Sequence, residues 1–251
     1  MFFKNSKEKH KKIKICIIFI CILIIVIGLA NLYINDYYHA DMKAIESFLN
    51  DNTTVKMSKI SDDIMIFEPE EYNTGMIFYP GGKVEYTSYI PLMQEFATQG
   101  VFCVLINMPL NLAVLDINAA DGIQQQYPNI EKWYIGGHSL GGAMAAKYLS
   151  ENEENFEGLV LMGAYSTENY SDTDLKIISI YGSEDKVMSY DKYEKYKTNL
   201  PSDFLEIIID GGCHSYFGMY GKQEGDGIPT ITNEKQIIKT AESVTYWMKN
   251  E

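Results

Sequence analysis

Between residues 64 and 249 the chain alternates short apolar runs with segments of helical spacing, and no other feature limits its fold so tightly. Strand-type runs fall at 64–67, 75–79, 101–107, 132–136, 158–162, 175–181 and 204–209. Helices are predicted over 86–99, 112–126, 140–150, 189–199 and 233–249, the last carrying Ile237, Ile238, Ala241, Val244 and Trp247 on one face. A strand that is apolar at every position has no side to give to water, so it belongs inside a parallel sheet covered by helices on both faces. The expected class is α/β, with a mostly parallel, doubly wound sheet. Hydrophobic residues at 46% and charged residues at 22% exclude a disordered chain.

The segment before this alternation has a different chemistry. Residues 15–34 carry no charge, and twenty helical residues rise about 30 Å, enough to cross a bilayer core. Six lysines precede the run, whereas beyond residue 35 there are 15 lysines against 33 acidic residues, a net charge of −18. The positive-inside rule then leaves residues 1–14 as a cytoplasmic basic tail, makes 15–34 a transmembrane helix and exports the rest. A cleaved signal peptide is the competing reading, with Gly28-Leu29-Ala30 as a tolerable cleavage site, although the apolar run continues past it. Residues 35–62 read as a stalk with a short amphipathic helix (Met42, Ile45, Phe48, Leu49), and 63–251 as the folded domain. The acidic body argues against nucleic acid as a partner. Four cysteines, two of them in the apolar run and one in a strand, do not suggest a disulfide framework.

One motif lies where a strand should end and a helix begin: Gly136-Gly137-His138-Ser139-Leu140-Gly141-Gly142. In a G-x-S-x-G elbow the turn is so tight that the positions two before and two after the serine have no room for side chains, and the serine is left exposed above the sheet. Serine needs a base to become a nucleophile. Of the four histidines, His10 precedes the apolar run and His39 precedes the domain, while His138 adjoins the serine on a turn where neighbouring side chains diverge. That leaves His214, on the loop between the last strand and the final helix. The acid should fall between them in the order Ser…Asp/Glu…His. Asp185, in Tyr181-Gly182-Ser183-Glu184-Asp185, is preferred by its Gly-x-x-Asp spacing, with Glu184 and then Asp210 as alternatives. Two backbone N–H groups would complete an oxyanion hole. Leu140 follows the nucleophile, and Gly82 lies in the turn Pro80-Gly81-Gly82-Lys83, with Lys83 close behind.

The order and spacing of these residues resemble the alpha/beta-hydrolase superfamily, and within it a small bacterial branch whose members often have an N-terminal membrane segment. The resemblance rests on Phe-Tyr-Pro-Gly-Gly-Lys-Val at 78–84, Met-Pro-Leu-Asn-Leu-Ala-Val at 108–114, Gly-Gly-His-Ser-Leu-Gly-Gly-Ala-Met-Ala-Ala at 136–146, and the Phe-Gly-x-Tyr-Gly-x-Gln-x-Gly-Asp-Gly loop at 217–227. It covers residues 40–250 and implies a hydrolase with a Ser-Asp-His triad. Cys213 departs from the pattern, where a small polar residue is usual, and this touches only the polarity beside His214.

Ser139, Asp185 and His214 are thus expected to hydrolyse an ester or related acyl bond of a small-molecule substrate, with no metal or organic cofactor. An acyltransferase would use the same residues, and a non-catalytic, membrane-tethered binding domain would keep the fold without turnover. About a dozen residues separate the strands at 158–162 and 175–181, too few for a separate cap domain. The aperiodic stretch 215–232, with Tyr216, Phe217, Met219 and Tyr220, is the expected cover of the acyl site, favouring a small or exposed acyl group.

Overall fold

The computed structural model describes residues 2–49 and 54–250, with side chains described at His10 and from residue 12 onward. It divides into two compact units, Met1–Tyr37 and Tyr38–Glu251. The first is a helix, α1 (Phe2–Asn35), whose stretch Lys12–Asn35 is long and apolar enough to cross a membrane by length and composition. That stretch is apolar around its whole circumference, as a helix needing no water-facing side would be.

The second unit runs α2 (Met42–Leu49), β1 (Lys56–Lys59), β2 (Ile64–Glu68), β3 (Thr74–Tyr79), α3 (Ile90–Thr98), β4 (Val101–Ile106), α4 (Ile123–Gln126), β5 (Lys132–His138), α5 (Leu140–Leu149), β6 (Gly158–Met162), β7 (Lys176–Gly182), α6 (Tyr190–Lys197), β8 (Leu205–Ile209) and α7 (Asn233–Asn250). The eight strands form one sheet in the order β1-β2-β4-β3-β5-β6-β7-β8. The β1–β2 and β2–β4 pairings are antiparallel and all others parallel.

Alternate side chains of the central strands feed two cores, as the period of two demands. Met76, Phe78, Cys103 and Leu105 pack with Leu92 and Phe96 of α3 and Ile237 and Val244 of α7. Ile77, Tyr79, Phe102 and Val104 pack on the opposite face with Ala145 and Leu149 of α5. The strand order reverses where β3 lies between β4 and β5, and the carboxyl ends of strands at such a switch point open a crevice suited to ligands.

Two expectations differ from the structure. Helix 112–126 is replaced by 3₁₀ turns at Pro109–Asn111 and Ala113–Leu115 and the single turn α4. Asn111, Asp116, Asn118, Asp121 and Gly122 favour turns, and the Tyr79 hydroxyl pins the segment by donating to the Ile117 carbonyl and accepting from the Ala120 N–H. Segment 35–62, read as a stalk, contributes to the folded unit: Ile45 of α2 is buried among core residues, and β1 pairs with β2. Residues 50–53 of that segment lie outside the described residues. Strand β1 escapes a hydropathy reading because Lys56-Met57-Ser58-Lys59 forms a polar edge, where charge discourages further pairing. The thirteen residues between β6 and β7 form no helix or strand.

Candidate active site

Ser139 lies at the β5–α5 junction with φ 53° and ψ −122°, a conformation that costs a non-glycine residue about 1–3 kcal/mol. The glycines around it make this turn possible. A Cβ on Gly137 would come within 2.5 Å of the Tyr79 carbonyl oxygen, and one on Gly141 would overlap the carbonyls of Tyr79 and Pro80. The elbow is therefore wedged against the end of β3, and the Ser139 N–H is held by the Met162 carbonyl of β6 at 2.9 Å. Helix α5 begins immediately after the serine, so its unpaired N–H groups and positive dipole end face the crevice.

Of the three candidate acids, the structure brings Asp185 to the histidine. Its Oδ2 accepts a hydrogen bond from His214 Nδ1 at 2.7 Å, and both side chains are buried. The other oxygen, Oδ1, accepts from the N–H groups of Val187 and Met188, both at 2.9 Å. With the carboxylate acting as acceptor on both oxygens, Nδ1 is the nitrogen that donates, and in the neutral imidazole Nε2 is then the acceptor. Nε2 is buried and makes no hydrogen bond among the described residues. Glu184 points elsewhere, accepting from the Ser183 hydroxyl, and Asp210 is exposed at the end of β8.

Ser139 and His214 line one cleft of about 460 Å³. Its walls come from Leu140 and Met144 of α5, from residues 163–165 after β6 and from residues 187–189 before α6. The expected cover is absent from those walls. Phe217, Met219 and Tyr220 turn inward into the core, and the Tyr220 ring lies 6.4 Å from Tyr89. Their missing periodicity reflects a plug of aromatic side chains that lies beneath the site.

Gly82 packs where a Cβ would meet the Leu140 side chain at 2.8 Å, so the two expected oxyanion residues adjoin each other. The N–H groups on either side of Gly82 are both committed: Gly81 donates to the Tyr89 hydroxyl at 3.0 Å and Lys83 to the Asn111 carbonyl at 2.8 Å. Lys83, Leu110 and Asn111 all have positive φ, so this corner stores backbone strain beside the elbow.

Four supporting residues escaped the reading of the sequence. The Asp226 carboxylate accepts from the backbone N–H groups of His214 (3.2 Å), Ser215 (2.8 Å) and Gly227 (2.8 Å). Burial pushes its carboxyl up, but these N–H groups together outweigh that and hold it below the usual carboxylate range. The buried Gln236 amide brackets Cys213, accepting from its N–H and donating to its carbonyl. Burial pushes the Cys213 thiol up to about 11. Gly163, at φ 53°, leaves room for the acid–base pair, since a Cβ there would lie 3.1 Å from His214 Nδ1. The Tyr89 hydroxyl accepts from Gly81 and shares a hydrogen bond with His138 Nδ1 at 2.8 Å, and the His138 ring lies 4.4 Å from that of His214. Burial, with His214 alongside, holds His138 well below the usual histidine range, so it stays neutral beside its neighbour. Only the Gly-Asp-Gly run around Asp226 and the glycine closing β6 left any mark in the sequence. Among the described residues no group of three or more His, Cys, Asp or Glu side chains is placed to hold a metal ion.

Residues 75–238 match the model of a family described as the alpha/beta hydrolase family. No curated protein matches the sequence. Among solved structures, a predicted CIB-like hydrolase from Thermoplasma acidophilum is similar at 13% identity and TM-score 0.55, covering 78% of this chain and 100% of its own. A dienelactone hydrolase from Anabaena variabilis is similar at 14% identity and TM-score 0.56, covering 79% of this chain and 99% of its own. At such identities the likeness is one of fold.

Proposed function

The chain belongs to the alpha/beta hydrolase family, and from that premise we propose that it is a serine hydrolase cleaving a carboxylic ester or related acyl bond through Ser139, His214 and Asp185. The observation that carries this reading is the buried Asp185–His214 pair, whose remaining imidazole nitrogen has no partner among the described residues and shares a cleft with the strained Ser139.

In this mechanism His214 Nε2 takes the Ser139 proton as Oγ attacks the acyl carbonyl. Asp185 holds Nδ1–H and stabilises the imidazolium that forms. The tetrahedral oxyanion is received by the N–H groups of Leu140 and Gly82, which are preorganised and cost no rearrangement. Return of the proton expels the alcohol, and a water activated by the same nitrogen releases the acid. Ser139 and His214 are not hydrogen-bonded here, as is common before substrate closes the geometry. An open cleft of about 460 Å³ suits a short or exposed acyl group better than a long chain.

The apolar helix and the charge difference across it support a cell-membrane protein with a cytoplasmic N-terminus and an extracytoplasmic catalytic unit. A fluorophosphonate should label the wild-type protein and fail to label folded Ser139→Ala. No label on folded wild type would instead favour a binding domain without turnover.

A further inference from the structure

Two loops that meet at the site come from distant parts of the chain, and a third segment ties them together. That segment is residues 38–41, which begin three positions after the end of α1. Tyr38 forms an isolated parallel bridge with Val84, donating its N–H to the Lys83 carbonyl at 2.7 Å and accepting from the Glu85 N–H at 2.9 Å. The next residues reinforce this, since the Ala40 N–H donates to Glu85 Oε2 at 3.1 Å. The same short stretch reaches the base loop. The Asp41 N–H donates to the Met219 carbonyl at 2.8 Å, the Tyr38 hydroxyl accepts from the Glu224 N–H at 3.1 Å, and the Tyr38 and Tyr220 rings lie 5.6 Å apart.

We propose that residues 38–41 are a strap that holds the 81–85 turn and the loop carrying His214 and Asp226 in register, with Tyr38 as its positioning residue. This rests on the hydrolase reading, in which Gly82 supplies an oxyanion donor and His214 the base. Geometry explains why a strap matters here. Lys83 is gripped from both sides, its N–H by Asn111 and its carbonyl by Tyr38, and the Gly81 carbonyl, in the same peptide plane as the Gly82 N–H, accepts from Val84 at 3.3 Å, so the orientation of that N–H depends on the segment Tyr38 bridges. The Glu224 N–H that Tyr38 receives lies two residues from Asp226, whose carboxylate fixes the His214 backbone. Loosening Tyr38 therefore disturbs donor and base together, while leaving the walls of the cleft, which come from other segments, in place. The chain just beyond the apolar helix is then part of the catalytic scaffold, and loss of residues 1–41 disables the site whereas loss of residues 1–35 does not.

The test uses full-length protein in detergent, with p-nitrophenyl acetate as substrate and phenylboronic acid as a transition-state mimic. Turnover is counted per active site by fluorophosphonate titration. In Tyr38→Ala, kcat should fall about 10-fold, KM should stay within about twofold, and the boronate inhibition constant should rise in proportion to the loss of kcat. Tyr38→Phe, which keeps the ring against Tyr220 and loses only the hydroxyl tie to the Glu224 N–H, should retain at least about a third of kcat. A lower Tm with per-site kcat and boronate affinity unchanged would overturn the proposal, because the strap would then be structural only. If Tyr38→Ala does not fold, Glu85→Ala cuts the Ala40 tie together with that carboxylate's contacts to the Thr87 hydroxyl and His39. It should lower kcat and boronate affinity about twofold to threefold, and no change in either overturns the proposal. Wild-type protein that neither turns over ester nor binds boronate would instead overturn the hydrolase reading.

Discussion

The two halves of the proposed machinery are held by different physics. Ser139 is set mainly by close packing: the glycines on either side of it have no room for a Cβ against the end of β3, and one backbone bond to Met162 completes the turn. His214 is set by hydrogen bonds to remote partners: Asp185 is 29 positions away, Asp226 is 12, and Gln236 grips the neighbouring Cys213 from α7. A nucleophile placed by local sterics tolerates change everywhere except at its glycines. A base placed by distant hydrogen bonds can be displaced from several points of the fold.

The largest effect should come from removing the locally held atom. Ser139→Ala should lower kcat by about 10⁵-fold or more, the scale of losing a serine nucleophile, with the fold intact. Because the strain lies in the backbone, Ser139→Gly should be equally inactive yet more stable than wild type by about 1 kcal/mol in urea unfolding. Equal or lower stability would mean that the elbow is not strained at this residue. Asp185→Asn comes next, with kcat lower by about 10⁴-fold, because an amide in place of the carboxylate stabilises the wrong tautomer of His214. A loss under about tenfold would show that the Val187 and Met188 N–H groups hold a benign acid and that the base is oriented by something else. Asp226→Ala should cost about 10-fold to 100-fold in kcat, since it frees four backbone N–H groups, those of Lys186, His214, Ser215 and Gly227, but removes no reacting atom. Unchanged turnover would reduce Asp226 to a loop fastener.

This contrast also explains what could be read without coordinates. Strands β3 to β7 were legible because burial on both faces leaves little that is polar in them, and the elbow because glycine is the sole solution to its crowding. The acid could be ranked, with Asp185 first by its Gly-x-x-Asp spacing, but Glu184 differs from it by one position and only the turn after β7 decides which faces His214. Asp226, Gln236, Tyr89 and Tyr38 act through backbone groups or hydroxyls of residues far along the chain, and no periodicity marks such contacts. Polar β1 and the turns at 109–126 failed for a related reason. An edge strand is defined by its partner, and apolar residues in successive turns mimic helical spacing. The aromatics of 215–232 misled because a loop rich in Tyr and Phe looks the same whether it covers a cleft or fills the space below it.

The smallest effect tests whether the ties around His214 depend on charge. The Asp226 carboxylate is held below its ordinary value by the N–H groups it accepts, which outweigh the cost of its partial burial. A group whose folded value is depressed stabilises the fold above its unfolded value, about 3.9 for aspartate, and loses that contribution as pH falls through the folded value. Asp226→Asn keeps an acceptor oxygen but not the charge. Wild type should therefore be the more stable protein at pH 7 by a modest margin, since the group is half open to solvent and screened. The margin should stay constant down to about pH 5 and shrink below about pH 4, as the wild-type carboxylate takes up a proton and becomes as uncharged as the amide of the variant. Urea midpoints of both proteins at pH 7, 5, 4 and 3 measure it. A gap that persists unchanged at pH 3 would mean that the loop is fastened by oxygen geometry alone, and that the base end is as indifferent to charge as the elbow.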